Sequence, residues 1–249
     1  MNVAQKTVLI TGANRGIGHA LVLEALKRGA KRVYAGTRSG LDIADKRVVP
    51  VALDVTNDAQ IEQAVRVVGN LDMLINNSGI APYDDLSKLE VIEQALAVNF
   101  FGMYKVSRGF LPLLKRSRGV LVNNLSLMAL APLPLTPSYA ISKAAALSMT
   151  QSLRALLAGQ SVSVHGVFLG PVDTDMTRGF VIPKASPESV ARGIFDGLDS
   201  GEDDIFPDPM SCSIADGWRN GIAKEFERQY APFVPQSTAL QANWADNNR

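Results

Sequence analysis

The sequence contains a single cysteine, Cys212, among its 249 residues. With one cysteine no disulfide can form within the chain, which excludes the small secreted folds that disulfides hold together. No apolar run approaches the length of about 20 residues that a membrane-spanning helix needs, and none near the first residues has the form of a signal peptide. These absences favour a cytoplasmic protein that does not cross a membrane.

Neither sign of charge is in excess: the chain has 25 Lys and Arg and 24 Asp and Glu, for a formal net charge of +1. Because nucleic-acid and anionic-membrane partners usually require a basic excess, we expect neither partner. Histidine is also scarce. His19 and His165 have no Cys or Glu partner at ligand spacing, so we expect no metal site.

What the sequence does contain is an alternation of short apolar runs and longer helical patterns. The short runs are continuously apolar, as strands buried in a parallel sheet are. Strands are predicted at Thr7–Thr11, Arg32–Gly36, Val48–Asp54, Leu71–Asn76, Gly119–Asn124, Val162–Leu169 and Asp204–Phe206, and helices at Ile17–Arg28, Asp58–Val68, Leu86–Arg116 and Tyr139–Leu157. The alternation predicts right-handed crossovers and an α/β fold: a doubly wound, Rossmann-type parallel sheet with helices on both faces.

Nothing in the sequence divides the chain, which has no Gly/Ser linker, repeat or low-complexity tract. Residues 1–249 are therefore expected to form a single domain. The stretch from Pro171 to about Pro187 has few periodic apolar residues and three prolines, which predicts a long surface loop of the kind that forms lids and binding loops. Residues from about 232 to 249 are polar and are expected to form an arm or tail.

A glycine-rich loop, TGANRGIG, follows the first predicted strand and opens the first predicted helix. Its glycines at 12, 16 and 18 allow a tight turn and a close approach of the backbone to a ligand. The free N–H groups at the start of the helix suit a pyrophosphate. The spacing differs from G-x-G-x-x-G, and a glycine-rich turn alone is a weak signal, but its place after a strand of a βαβ unit predicts dinucleotide binding.

The residues after the second strand indicate which dinucleotide binds. Proteins that bind NAD carry an acidic residue there, which bonds the ribose 2′-hydroxyl. Here Thr37 and Arg38 take its place, and Arg15 lies inside the glycine loop. Two guanidinium groups suit a 2′-phosphate, which predicts NADP(H); the alternative is that both are ordinary surface side chains. Asp54, at the end of the predicted third strand, is the nearest acidic residue and is placed for the adenine.

Tyr139 and Lys143 lie four residues apart, so on a helix their side chains share one face. Such a pair alone is more often a solvated helix face than a catalytic site. A nearby cation favours a phenolate, so we expect Lys143 to lower the pKa of Tyr139 from its usual value of about 10. A tyrosine tuned in this way can exchange a proton with a substrate oxygen.

Further motifs make the sequence resemble the short-chain dehydrogenases/reductases over nearly its whole length. NNSG at 76–79 resembles the NNAG that caps the fourth strand of that family, and VFLGPVDTDM at 167–176 resembles the segment after its sixth strand. By this resemblance, Val172 and Thr174 meet the nicotinamide carboxamide. Leu169 replaces the proline that is usual in this segment.

The resemblance also assigns roles around Tyr139 and Lys143. Ser126 stands thirteen residues before Tyr139, the spacing of the catalytic serine of the family, and Leu125 replaces the serine that usually precedes it. Ser126 would bind the substrate oxygen. Asn99, in AVNFFG, would help to hold a water that links Lys143 to solvent.

The residues expected to hold the cofactor lie in the loops that follow the strands, at the start of the first helix, or on the helix that carries Tyr139. They are Gly12, Asn14, Arg15, Gly16, Ile17, Gly18, Thr37, Arg38, Asp54, Val55, Asn77, Gly79, Tyr139, Lys143, Val172 and Thr174.

The leading hypothesis is an NADP(H)-dependent oxidoreductase that interconverts ketones and secondary alcohols, as a carbonyl reductase of hydrophobic ketones. The expected pocket segments at 129–137 and 172–186 are apolar and rich in proline. A 3-oxoacyl or steroid reductase of the same family is an open alternative, and a dinucleotide-sensing protein without turnover is a rival from another class. The resemblance also implies a homotetramer or homodimer, packed through the helices at Leu86–Arg116 and Tyr139–Leu157.

Overall fold

The computed structural model describes residues 2–234, which form a seven-stranded sheet with helices on both faces. The strands are β1 (Thr7–Thr11), β2 (Arg32–Thr37), β3 (Val48–Ala52), β4 (Met73–Asn76), β5 (Val120–Asn124), β6 (Ser163–Val167) and β7 (Asp204–Ile205). The helices are α1 (Gly16–Lys27), α2 (Asp58–Val68), α3 (Leu89–Leu96), α4 (Met103–Ser117), α5 (Pro137–Ala158), α6 (Pro187–Asp199), α7 (Pro209–Cys212), α8 (Ala215–Arg219) and α9 (Ile222–Tyr230).

All seven strands run parallel, in the order β3-β2-β1-β4-β5-β6-β7. In the centre of the sheet, Ile10 of β1 is in register with Ala35 of β2 and with Ile75 of β4. The strand order reverses between β1 and β4, so the loops that follow these two strands diverge and leave a crevice at the carboxyl edge. Sheets of this kind bind ligands in that crevice. The doubly wound parallel fold predicted from the sequence is confirmed.

Each face of the sheet has its own apolar layer. α1 and α6 cover one face, where Ile10 and Ile75 are fully buried. α2, α4 and α5 cover the other face, where Leu9 and Leu74 are fully buried. Because successive side chains of a strand point to opposite faces, a sheet that is covered twice needs the continuously apolar runs seen in the sequence.

The helix predicted over Leu86–Arg116 consists of three segments. α3 is followed by a π-helical segment at Ala97–Gly102, and α4 continues from there. A π-helical turn holds an additional residue, and such turns occur frequently at functional sites. The apolar periodicity on either side hardly changes, so the sequence pattern alone did not show the interruption.

The long loop predicted from Pro171 to about Pro187 is present between β6 and α6, and its one short helical turn is at Asp175–Thr177. Of the arm expected at about 232–249, the structure describes residues 232–234; the rest lies outside the described residues. Within residues 2–234, no helix is long and apolar enough to cross a membrane.

Candidate active site

The glycine-rich loop joins β1 to α1 at the carboxyl edge of the sheet. Gly12 and Gly16 have φ angles of 65° and 53°, a region that other residues rarely adopt. A Cβ atom on Gly18 would lie 2.0 Å from the main-chain oxygen of Gly12. No side chain caps the helix at its N-cap residue Arg15, and Ile17 packs on the apolar layer beneath. The loop therefore offers open backbone donors and the positive end of the helix dipole to an anion.

Asn77, directly after β4, binds the glycine loop through its side chain. Its Nδ2 donates to the main-chain oxygens of Thr11 at 2.9 Å and Gly12 at 3.3 Å, and its N–H donates to Thr11 Oγ1 at 2.9 Å. A Cβ atom on Gly18 would lie 2.6 Å from this Nδ2 atom. The two loops of the crevice are thus packed together, with three of the predicted cofactor residues in contact.

The end of β2 carries no acidic side chain. Thr37 is buried, and its Oγ1 both donates to the main-chain oxygen of Ser39 at 2.8 Å and accepts from the Ser39 N–H at 3.1 Å. Asn14 of the glycine loop donates to Ser39 Oγ at 3.0 Å. These bonds define the turn, and Arg38 lies exposed within it.

Asp54, after β3, is held as a carboxylate. Its Oδ1 accepts from the N–H of Thr56 at 2.9 Å and from the Thr56 hydroxyl at 2.7 Å. These two bonds, together with the charge of Arg38, outweigh burial and lower the pKa of Asp54. The neighbouring Val55 packs on the π-helical segment, where a Cβ atom on Gly102 would lie 2.6 Å from its side chain.

Arg15 pairs with an acidic residue of the long loop. Its Nη1 donates to Asp175 Oδ2 at 2.8 Å, although the two residues are 160 positions apart in the chain. Arg178 binds the other oxygen of the same carboxylate. The ion pair joins the glycine loop to the long loop. Of the two arginines predicted to bind a 2′-phosphate, only Arg38 lies at the end of β2, while Arg15 is paired with Asp175.

Tyr139 and Lys143 lie near the start of α5 and face Ser126, which follows β5. Ser126 forms a side-chain hydrogen bond with Tyr139, and its Oγ accepts from the N–H of Met128 at 3.1 Å. Lys143 Nζ donates to the main-chain oxygen of Asn124 at 2.7 Å and lies 5.7 Å from the centre of the Tyr139 ring. The structure therefore brings the three predicted catalytic side chains together.

Burial shifts the pKa values of both residues of the pair. It raises the pKa of Tyr139, and the hydrogen bond with Ser126 opposes this shift. It lowers the pKa of Lys143 to about 8. The expected net lowering of the pKa of Tyr139 is therefore wrong, because the loss of hydration outweighs the interactions that favour the phenolate. Tyr139 is a neutral phenol near neutral pH.

The π-helical segment turns Asn99 into the interior, where it is fully buried. Its Nδ2 donates to the main-chain oxygen of Ile80 and to Ser142 Oγ, both at 2.8 Å, and its Oδ1 accepts from the Ile80 N–H at 2.9 Å. A Cβ atom on Gly79 would lie 3.2 Å from Asn99 Oδ1 and 3.9 Å from Lys143 Nζ. Asn99 thus positions the chain beside Lys143; its expected role in holding a water stays a prediction.

The segment after β6 returns to the crevice through two close contacts. The N–H of Gly170 donates to Asp208 Oδ2 at 2.8 Å, and a Cβ atom on Gly170 would lie 2.5 Å from Asp208 Oδ1. Val172 is buried, and a Cβ atom on Gly16 would lie 3.1 Å from the methyl group of Thr174. Of the predicted contact residues of this segment, Thr174 therefore lies against the glycine loop and Val172 lies in the interior.

Two polar residues beside these groups were not singled out from the sequence. Asp84 accepts from the N–H of Ser138 at 3.3 Å and from its hydroxyl, and so holds the first turn of α5. Asn124 donates through Nδ2 to Asn77 Oδ1 at 2.9 Å. The signal for Asn124 was two asparagines that end an apolar strand, whereas Asp84 lies 54 positions from its partner and no local pattern shows the contact.

Comparison with known proteins places this geometry in a family. Residues 6–183 match the short chain dehydrogenase family. The 11-beta-hydroxysteroid dehydrogenase-like 3 of Arabidopsis thaliana is 34% identical over 225 residues, which cover 81% of this chain and 72% of that protein. The NADPH-dependent 1-acyldihydroxyacetone phosphate reductase of Schizosaccharomyces pombe is 34% identical over 207 residues, which cover 75% of this chain and 67% of that protein.

A solved structure agrees with these relatives. The crystal structure of a short chain dehydrogenase from Burkholderia cenocepacia J2315 in complex with NADP is 34% identical in sequence and has a TM-score of 0.84. The match covers 94% of this chain and 100% of that one. With the family match over most of its length and the same fold in this relative, the chain belongs to the short chain dehydrogenase family of oxidoreductases.

Proposed function

We propose that the protein is an NADP(H)-dependent oxidoreductase that interconverts ketones and secondary alcohols, acting as a carbonyl reductase on hydrophobic ketones. The observation that carries the proposal is the convergence of Tyr139, Ser126 and Lys143 on the crevice, next to the glycine loop. A substrate oxygen at this point meets two hydroxyl groups and a buried cation.

The residues of the crevice fit a dinucleotide. The glycine loop forms a cradle that a side chain at Gly12, Gly16 or Gly18 would distort or fill. The open N–H groups of α1 would hold the pyrophosphate. Arg38 and Asp54 would contact the adenosine side of the dinucleotide, and Val172, Thr174 and Lys143 would contact its nicotinamide side. Arg15 reaches the pyrophosphate or the 2′-phosphate only if its ion pair with Asp175 breaks.

In the reductive direction, NADPH held by these residues would supply a hydride for the carbonyl carbon. The proton comes from Tyr139, which as a neutral phenol donates to the carbonyl oxygen. Ser126 orients that oxygen; its Oγ lies 3.5 Å from its main-chain acceptor at Leu169, so the hydroxyl can turn to the substrate at little cost. The phenolate that remains is stabilised by Ser126 and by the charge of Lys143.

Three observations support NADP(H) over NAD(H). No acidic side chain lies at the end of β2. Arg38 is exposed in that turn, where a 2′-phosphate can form charge-assisted bonds with it. The Burkholderia relative is in complex with NADP, and the Schizosaccharomyces relative is named as NADPH-dependent.

The long loop supports an apolar substrate. Val181 is fully exposed and Ile182 is 45% exposed, and the ring of Phe180 lies 5.9 Å from that of Tyr83 on the loop after β4. Apolar side chains on both sides of the crevice favour a hydrophobic ketone. A steroid is the second candidate, because relatives such as the Arabidopsis protein are named as hydroxysteroid dehydrogenases or similar to them.

The proposal is tested by following nicotinamide absorbance with NADPH and with NADH, over a panel of aryl, alkyl and steroid ketones. We expect reduction of hydrophobic ketones and a higher kcat/KM with NADPH. A clear preference for NADH contradicts the cofactor assignment. Binding of NADPH without turnover of any ketone or alcohol favours the rival, a dinucleotide-sensing protein.

Substitution of Tyr139 by phenylalanine tests the proton donor. Tyr139→Phe removes the hydroxyl and keeps the ring, so we expect turnover to fall by at least about 100-fold with little change in NADPH affinity. Tyr34→Phe is the matched control, because its buried hydroxyl makes a 3.5 Å contact with the Val68 oxygen, in the layer under α2 and α4. Retained activity in Tyr139→Phe means that another group supplies the proton.

A further inference from the structure

Asn124 connects the glycine loop to Lys143. Its Nδ2 donates to Asn77 Oδ1 at 2.9 Å, and Asn77 Nδ2 in turn donates to the main-chain oxygens of Thr11 and Gly12. At its other end, the main-chain oxygen of Asn124 accepts from Lys143 Nζ at 2.7 Å. One residue at the end of β5 therefore touches both the support of the phosphate cradle and the buried ammonium group.

The side-chain bond fixes which way the Asn77 amide points. The amide has a donor end and an acceptor end, and only one orientation places its Nδ2 toward the oxygens of Thr11 and Gly12. Because Asn124 donates to the opposite end, a reversed Asn77 would place two donors against each other and would lose its bonds to the loop. Asn124 thus locks the contact that holds the carbonyl groups of Thr11 and Gly12 in place.

The main-chain bond fixes where the charge of Lys143 lies. Lys143 is 4% exposed, and the Asn124 oxygen is its hydrogen-bond acceptor among the residues that the structure describes. The Asn124 side chain, itself 2% exposed, anchors the strand end that carries this oxygen. A shift of this end therefore moves the ammonium group relative to Tyr139.

The same strands contain a second asparagine pair that serves as an internal comparison. Asn76 of β4 and Asn123 of β5 are in register, and Asn76 Nδ2 donates to Asn123 Oδ1 at 2.9 Å and to Ser107 Oγ at 2.8 Å. Asn123 Nδ2 donates to Thr150 Oγ1 at 3.0 Å. This pair lies on the opposite face of the sheet, under α4 and α5, and within residues 2–234 its side-chain hydrogen bonds reach neither the glycine loop nor Lys143.

The two strand-end residues to be compared, Asn123 and Asn124, are similarly buried and each bonds an asparagine at the end of β4. Asn123 is fully buried and Asn124 is 2% exposed. Each pair leaves one buried carbonyl oxygen, on Asn76 and on Asn124, without a hydrogen-bond partner within residues 2–234. Loss of either pair should therefore destabilise the fold to a similar degree, while only one pair is bonded to the residues of the crevice.

We propose that Asn124 is a positioning residue of the reaction, which holds the phosphate cradle through Asn77 and the ammonium group of Lys143 through its main chain. The inference rests on the proposed function and adds to it a residue through which dinucleotide binding and proton transfer are linked. It follows that a change at Asn124 alters cofactor binding and turnover together.

The experiment compares Asn124→Leu with Asn123→Leu, two substitutions that keep the side-chain shape and remove the amide. For each variant, NADPH affinity is measured by direct titration. Steady-state kinetics then give kcat and separate KM values for NADPH and for the ketone. We expect Asn124→Leu to weaken NADPH binding about tenfold and to lower kcat, while the KM for the ketone stays within about twofold of wild type. Asn123→Leu should leave NADPH affinity and kcat within about twofold of wild type.

Thermal unfolding of both variants separates positioning from loss of fold. Where either leucine variant does not fold, Asn124→Ala and Asn123→Ala replace them in the same measurements. Equal effects of the two substitutions on NADPH affinity, or no effect of Asn124→Leu, overturn the inference. Failure of the wild type to bind NADPH is a different result: it contradicts the proposed function before the variants are compared.

Discussion

At the scale of single residues, the two central groups of the site are both driven toward their neutral forms. Burial raises the pKa of Tyr139 and lowers the pKa of Lys143 to about 8. For Tyr139 the neutral form is the proton donor, which is the form that ketone reduction requires. Lys143 is still largely charged at neutral pH, so it can stabilise the phenolate that forms when the proton leaves.

The buried ammonium group of Lys143 predicts a pH dependence of stability. The pKa of Lys143 is about 8 in the folded protein, against an ordinary value of 10.5, so the unfolded chain binds the additional proton between these two pH values. Burial of the charge therefore destabilises the fold below pH 8, and this penalty disappears as the pH rises to 10.5. Lys143→Met removes the titration and leaves a side chain of similar length.

Between pH 8 and pH 10.5, we expect the unfolding free energy of wild type to rise by about 3 kcal/mol relative to that of Lys143→Met. Urea unfolding of both proteins at a series of pH values measures this difference. Other titrating groups cancel in the difference between the two proteins. A difference that is constant with pH shows that Lys143 titrates at an ordinary pKa.

The catalytic side chains were accessible from the sequence, and their supports were not. Tyr139 and Lys143 are linked by helical spacing, and Ser126 was assigned because its distance from Tyr139 matches the spacing in the family that the sequence resembles. Asp84 and Asn124 act through contacts between distant segments; Asp84 matches no local pattern, and the two asparagines that end β5 do not show what Asn124 contacts. The predicted direction of the Tyr139 pKa was wrong because the sequence does not show how much hydration the phenol loses in the folded protein.

At the scale of elements, α9 is joined to the sheet by a buried group of charges. Lys224 Nζ of α9 lies 2.8 Å from Asp204 Oδ2 of β7 and 2.9 Å from Glu227 Oε2. Arg154 of α5 binds both carboxylates, and Trp218 Nε1 donates to Asp204 at 2.7 Å. Burial alone raises the pKa of Asp204, but the charges of Arg154 and Lys224 outweigh it and lower the pKa.

Asp204→Asn tests how much this group of charges contributes. The substitution leaves Arg154 and Lys224 buried with one fewer carboxylate, so we expect a loss of about 3–5 kcal/mol in unfolding free energy. The control is Glu62→Gln on α2, where the pair with Arg66 is 3.9 Å long and mostly exposed; its loss should cost less than about 1 kcal/mol. Urea unfolding at pH 7 measures both, and similar small losses in the two variants contradict the prediction.

Some helices and strands were predicted accurately from sequence patterns, and others were missed. β1 and α2 have the bounds predicted for them, because β1 is a short apolar run between polar residues and Asn57 caps α2 with its side chain. α6 was not predicted, although Ser186 and Pro187 form an ordinary helix start; the predicted loop ends at about Pro187, and no element was assigned between it and the last strand. The π-helical segment at Ala97–Gly102 has no signature of its own in the apolar pattern.

At the scale of the whole molecule, the site exists because all the strands end at one edge. Parallel strands place the glycine loop, Asp54, Asn77 and Ser126 at the same side of the sheet, so the order of motifs along the chain was enough to predict their meeting. The ion pair of Arg15 and Asp175 depends on the path of the long loop and was not predictable in this way. The single-domain organisation, the homo-oligomeric state and the cytoplasmic location expected from the sequence stay predictions.

Cofactor binding should stabilise the entire fold, and the size of the effect should depend on the 2′-phosphate. A ligand that binds only the folded protein at 100 times its Kd adds about 2.7 kcal/mol of stability, which raises the Tm of a domain of this size by roughly 5–10 °C. We therefore expect NADPH to raise the Tm more than NADH at the same concentration. Arg38→Ala should reduce the NADPH shift to that of NADH, whereas Arg66→Ala, on the exposed face of α2, should leave it unchanged. Equal shifts for the two dinucleotides in wild type would show that the crevice does not distinguish the 2′-phosphate, and would contradict both the role of Arg38 and the assignment of NADP(H).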